Sequence, residues 1–221
     1  MKQCIPFLLL LLALAGCNRS EPDKASNAPC AESVTQPYTK KVIVSPPIVA
    51  AARSQVGKTT TYDPAYVGLK YPGGDVPIER GVCTDVVIRA LRKSISMDLQ
   101  KVLHEDMKSS FSQYPTIWGL MKPDRNIDHR RVPNLKTYFE RKKLSVVVSK
   151  NPEDYLPGDL VTCTVGGNRP HIMIVSDKKT TAGVPLVIHN IGSGAKEEDR
   201  LFEFPITGHY RIKTQQARTG S

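Results

Sequence analysis

The chain has 221 residues, with 31 Lys and Arg against 21 Asp and Glu, a formal net charge of +10. That length suits one domain with appendages, and 40% apolar with 24% charged residues is ordinary for a soluble globular protein. Collagen-like, coiled-coil, wholly disordered and multi-span membrane chains are excluded. So is a disulfide scaffold, because five cysteines are too few at this size.

The first element is an apolar run, Ile5 to Ala15, behind the positive charge of Lys2. Eleven residues cannot cross a hydrocarbon core of ~30 Å, which takes roughly 20, so the run reads as the core of a secretory signal. Leu14-Ala15-Gly16-Cys17 follows and resembles the lipobox of bacterial lipoproteins. The resemblance implies cleavage before Cys17 and lipid on that residue, which anchors the chain to a membrane. Several acyl chains make such an anchor durable where one is marginal. Asn18 after the cysteine points to the periplasmic face of the outer membrane. The organisation expected is a signal over 1–16, a lipidated cysteine and tether over 17–40, a domain over 41–213 and a tail over 214–221. The tether is Ser, Pro, Asn, Ala and charge with almost nothing to bury, and Cys30 lies in it.

Within the domain, Ser45-Pro46-Pro47 introduces a helix through Ala52 that ends near Gly57. Residues 59–81 read as loop. A second helix begins near Cys83, with Val87, Leu91 and Ile95 at four-residue spacing and Val86 and Ala90 widening the face. Residues 98–126 give no clear pattern. Pro133-Asn134-Leu135 starts a helix to Arg141. Then the period changes. Val146–Val148, Leu160–Val165, His171–Ser176, Leu186–Ile191 and Tyr210–Ile212 are β-prone runs, and Pro157-Gly158-Asp159, Gly166-Gly167-Asn168 and Ala182-Gly183 supply turns. Helices followed by antiparallel strands predict an α+β fold with helices on one side of a sheet.

Cys83 stands where a loop meets a helix. The helix dipole, and an imidazolium if one is near, lower a thiol pKa there, and the thiolate is a strong nucleophile. Cysteine also packs in cores, so position alone does not decide its role. His171, at the mouth of a strand, suits the general base of a Cys–His pair. His189 lies in the next run; a hairpin places it beside His171 on one face, able to fix the tautomer of the first ring. Asn190 then falls on the opposite face.

These residues resemble the NlpC-type papain-like cysteine peptidases. Tyr71-Pro-Gly-Gly74 with Gly81-Val-Cys83-Thr-Asp-Val-Val87 is similar to that family's glycine pair and nucleophile segment. Leu156-Pro-Gly-Asp-Leu-Val161 with His171-Ile-Met-Ile-Val175 is similar to its strand pair, and His189 stands at its third polar position. More narrowly, "YDPAYVGLKYPGGDVP", "GVCTDVVIRALR", "DHRRVPNLKTYF" and "HNIGSG" resemble an uncharacterised bacterial domain family within that superfamily, over about residues 48 to 212. The resemblance implies a papain-like fold and a Cys83, His171, His189 triad that hydrolyses amide bonds, with peptidoglycan stem peptides as the substrate for an envelope lipoprotein. It departs from the pattern at Val82-Cys83-Thr84, where Asp-Cys-Ser is usual, and Asp85 follows the cysteine.

Arg130 and Arg131 suit substrate carboxylates, since a guanidinium binds them bidentately. His129 and His104 read as surface or loop histidines, His209 as a strand-end hydrogen bonder, Cys163 as core, and Glu197-Glu198-Asp199-Arg200 as a solvated charged turn. No cofactor is called for. Two other readings stand beside the hydrolase: a non-catalytic peptidoglycan-binding lipoprotein, suggested by the altered residues around Cys83, and a zinc site of Cys83, His171 and His189, whose spacing matches no zinc signature. Nucleic acid is an unsupported partner, with 6% aromatic residues and no recognition motif.

Overall fold

The structure is a computed structural model that describes residues 46–212. The expected signal, Cys17, Cys30, the expected tether and the expected tail lie outside the described residues. The architecture is α+β, as the change of period at residue 145 predicts. Four helices come first: α1 (Pro47–Arg53), α2 (Cys83–Ile95), α3 (Leu99–Ser110) and α4 (Val132–Arg141). A sheet of β3 (Ser145–Val146), β4 (Leu160–Val165), β5 (Arg169–Lys179), β6 (Pro185–Asn190), β7 (Ala195–Glu198) and β8 (Ile206–Tyr210) follows, in the spatial order β3-β8-β4-β5-β6-β7 with every neighbouring pair antiparallel. Two-residue strands β1 (Thr61–Tyr62) and β2 (Arg80–Gly81) pair in the loop before α2.

The sheet is covered on both faces, and strand parity decides which residue goes where. Ile172, Ile174 and Ile188 pack with α2 residues Val86, Val87 and Leu91 and with Leu103 and Leu135 of α3 and α4. Val161, Cys163, Met173, Val175 and Val187 pack on the other side with Tyr155 and Leu201 from loops. Cys163 is therefore core, as expected, and is a free thiol.

Helix α2 is the spine: every residue from Cys83 to Leu91 is buried. Its start is held by Asp85, whose carboxylate accepts the Val82 N–H at 2.6 Å and satisfies one orphan donor of the first turn. Helix α3 lies in the stretch that gives no clear pattern in the sequence. Its signals are Asp98, which caps it by accepting the Gln100 N–H at 3.2 Å, and Leu99, Leu103 and Met107 at four-residue spacing, all buried. The run is hidden because Lys101, Glu105, Asp106 and Lys108 dilute it.

Strand β7 corrects the reading of residues 197–200 as a solvated turn. Glu197 is largely buried and binds Arg53 at 2.6 Å, Ser176 Oγ at 2.5 Å and Lys178 at 2.9 Å, which ties α1 to the sheet. The strand enters through Gly194, at φ +87°, where an added Cβ would stand 2.6 Å from the Thr59 carbonyl oxygen. The same carbonyl accepts the Ala195 N–H at 2.7 Å. The second glycine of "HNIGSG" thus lets β7 dock on the loop after α1.

Candidate active site

Cys83 is the first residue of α2 and is 4% exposed. Burial pushes its thiol up to about 11, against the backbone N–H groups of Ile172, Thr84 and Cys83, which favour the thiolate, while Asp85 adds to the rise. Desolvation outweighs the helix-start amides, so the resting group is a protonated thiol, contrary to the lowered pKa expected from position.

His171 and His189 meet as the hairpin reading predicts. With Ile174 opposite Ile188 and Val175 opposite Val187, the two histidines are diagonal neighbours on one face of β5 and β6. His171 Nε2 lies 2.7 Å from His189 Nδ1, and the rings meet edge to face at 5.0 Å between centroids. His189 Nε2 continues to Glu198 Oε1 at 3.1 Å, and Glu198 is paired with Arg200 at 3.1 Å. Burial, then the neighbouring His189, holds the His171 pKa down at about 3. The His189 pKa is lowered by burial against the opposing pull of Glu198. Both rings rest neutral.

Cys83 belongs to the helix-side core and meets β5 at the Ile172 amide, the residue after His171. By alternation His171 shares its face with Met173 and Val175. Cys83 thus packs on the Ile172 and Ile174 side of β5 and the His171 ring on the Met173 side, and among the described residues no hydrogen bond joins thiol and imidazole. Asn190, of opposite parity to His189, donates to the Gly81 carbonyl at 2.9 Å and braces the loop that leads into Cys83.

Cys83 opens onto a cleft of about 290 Å³ lined by Tyr62, Ile117, Trp118, Arg130, Arg131 and Pro170, among others. The two arginines differ. Arg130 is buried, and its fork is spent: Nε and Nη2 bind Asp85 at 3.0 and 2.9 Å, Nη1 donates to the Ala65 carbonyl at 2.9 Å, and Nη2 also to that of Asp63 at 3.1 Å. That corrects its reading as a substrate-binding residue: Arg130 neutralises the carboxylate that caps α2 and holds the cleft wall. Thr84 Oγ1 donates to the Arg130 carbonyl at 3.1 Å, so the altered residues flanking Cys83 form this brace. Arg131 is partly exposed, is paired with Asp128 at 3.0 Å, and lies over the Trp118 ring at 4.2 Å. It keeps a face toward the cleft.

His129 and His104 are less exposed than a surface reading suggests, and His209 is the strand-end hydrogen bonder expected. His129 is 2% exposed in the turn Asp128–Arg130, with its pKa lowered to about 4 by burial and by Arg130. His104 lies on α3 against Tyr71, with its pKa lowered by burial and Lys108. His209 pairs with Asp159 at 2.7 Å beneath Tyr155.

A shared zinc is opposed by distance. Two zinc–nitrogen bonds of ~2.0–2.1 Å in tetrahedral geometry need their nitrogens well over 3 Å apart, and the facing nitrogens of His171 and His189 are 2.7 Å apart. Among the described residues no cluster of three His, Cys, Asp or Glu side chains has the geometry of a metal site.

A family model described as a domain of unknown function (DUF1287) matches residues 49–212. The chain is also similar to the "Uncharacterized protein YijF" of Escherichia coli (strain K12), 58% identical over 164 residues that cover 74% of this chain and 80% of the relative.

Proposed function

The chain belongs to the DUF1287 family, and from that premise we propose that it is a cysteine hydrolase of the bacterial cell envelope, with a papain-like, NlpC-type arrangement, that cuts amide bonds of peptidoglycan stem peptides. One observation carries the reading. A buried thiol opens the central helix at the wall of a cleft and meets β5 at the amide of Ile172, the residue after His171, whose ring is hydrogen-bonded to His189. A neutral imidazole is a proton acceptor, and strongly perturbed titratable groups beside a cleft cluster at functional sites.

The chemistry is acyl transfer. As Cys83 sulfur attacks the amide carbonyl, its proton passes to His171; His171 then protonates the leaving amine, and water releases the acyl group from sulfur. Backbone N–H groups at the start of α2, including that of Cys83, hold the oxyanion, and loss of one such donor typically costs ~2.7–4 kcal/mol of barrier. His189 orients His171. Arg131, flattened on Trp118 beside the cleft, offers its guanidinium to a substrate carboxylate, and stem peptides carry several. The signal-like start and Cys17 support a lipid-anchored protein on the periplasmic face of the outer membrane, beside that substrate.

The test compares wild type with Cys83→Ala on purified peptidoglycan fragments, read by mass spectrometry. New cleaved amides in the wild type alone are expected, and equal product profiles would sink the proposal. The buried resting thiol favours one second reading, a module that binds peptidoglycan without cutting it. Muropeptide affinity without turnover, and no labelling of Cys83 by a thiol electrophile, would establish that instead.

A further inference from the structure

Glu198 lies in the stretch that reads as a solvated turn in the sequence, yet the fold brings it to the far end of the histidine pair. We infer that Glu198 is a positioning residue that sets the proton order of the pair and makes Nδ1 of His171 its basic nitrogen. The catalytic meaning of that order rests on the hydrolase reading above; the order itself does not.

The argument follows the donors. A carboxylate only accepts hydrogen bonds, so His189 Nε2, 3.1 Å from Glu198 Oε1, must carry a proton. His189 is neutral, so its Nδ1 holds a lone pair. That lone pair faces His171 Nε2 at 2.7 Å, and such contact between two nitrogens requires a proton on one of them. The proton is therefore on His171 Nε2, and the neutral His171 ring keeps its lone pair on Nδ1. Nδ1 of His171 has no hydrogen-bond partner among the described residues, so nothing in the protein competes for the proton it would take. When Nδ1 is protonated, the positive charge spreads toward Glu198 along the same chain with no heavy atom moving.

Register supplies the placement. Val187 lies opposite Glu198 and His189 opposite Lys196, so Glu198 shares a face with Val187 and His189. Glu197 falls on the other face, against Arg53. A shift by one residue would exchange the two acids. Arg200, 3.1 Å from Glu198 and 2.8 Å from Glu203, fixes the carboxylate rotamer.

The experiment uses the full-length mature chain labelled with 15N-histidine, whose ring nitrogens report directly whether each is protonated. His171 and His189 are assigned from His171→Gln and His189→Gln spectra. In the wild type both rings should be protonated at Nε2 and bare at Nδ1. Glu198→Gln, close in shape but able to donate as well as accept, should add a second set of signals in which both rings carry the proton on Nδ1. Where turnover is measurable, kcat should fall at least ~10-fold with KM little changed. The orienting carboxylate of a serine-protease triad, turned to an amide, sets a ceiling near 10⁴ through the wrong tautomer. A wild-type His171 protonated at Nδ1 would overturn the inference, and that result needs no variant to fold. Unchanged tautomers in a folded Glu198→Gln would overturn it too. A wild type that shows the expected order but cuts no peptide would leave the proton order standing and remove the hydrolase reading alone.

Discussion

Replacing Arg130 by Ala would remove four hydrogen bonds from a guanidinium buried at the wall of the cleft, two of them to Asp85. Asp85 is itself 3% exposed and would keep only the Val82 N–H as a partner. A buried charge left without its counterion costs ~3–5 kcal/mol. For a domain of this size each kcal/mol moves the melting point by ~2–4 °C, so a fall of roughly 6–20 °C is expected. Denaturant and thermal unfolding of the two proteins would measure it, with Asp85→Asn and the double variant completing a cycle that isolates the pair. Arg131→Ala, one residue on, removes a partly exposed ion pair and a ring contact and should cost ~1 kcal/mol or less while weakening substrate affinity. Stability within 1 kcal/mol of wild type for Arg130→Ala, or equal losses for the two arginines, would refute the division of labour between them.

Between a His171 pKa of about 3 and a Cys83 pKa of about 11 the pair stays thiol and neutral imidazole, so kcat/KM on a stem peptide should be flat from pH 5 to pH 9; an acid limb near pH 6.5 would show an imidazole with an ordinary pKa. The same lowered pKa values act on stability. His171 and His129 bind protons less readily folded than unfolded, so stability is full above pH 6.5 and falls as pH drops toward about 3 or 4. The drop from 6.5 to about 3 corresponds to ~5 kcal/mol for His171, and unfolding at stepped pH that shows no loss between pH 6.5 and pH 4 would contradict neutral burial. Gly194→Ala should destabilise by more than ~1 kcal/mol, since it meets both a positive φ and the Thr59 carbonyl; amide exchange confined to β7 and residues 59–60 would locate the damage.

Much of the site was legible in the chain. Cys83 at a helix start and His189 on the matching parity to His171 follow from period and punctuation, and the hairpin that joins the histidines needs only alternation and a turn; His171 itself is the third residue of β5, not its first, because pairing with β4 extends back to Arg169. Two things misled. Consecutive acids read as solvated, because exposure is the usual fate of charge, and the sheet instead took Glu197 to one face and Glu198 to the other. The two arginines after His129 look equivalent in sequence, but one points into the brace around Asp85 and the other lies across Trp118.

By itself, then, the sequence determined the change from helices to antiparallel strands, the apolar faces of α2 and the central strands, and the candidate residues, because these depend on periodicity and local turn chemistry. Tertiary structure alone decided protonation and partnership. The burial that holds Cys83 as a thiol and both histidines neutral, the partner that spends Arg130, and the carboxylate that ends the histidine chain all arise from segments far apart in the chain. Burial and pairing in three dimensions set those energies, and no local pattern encodes them.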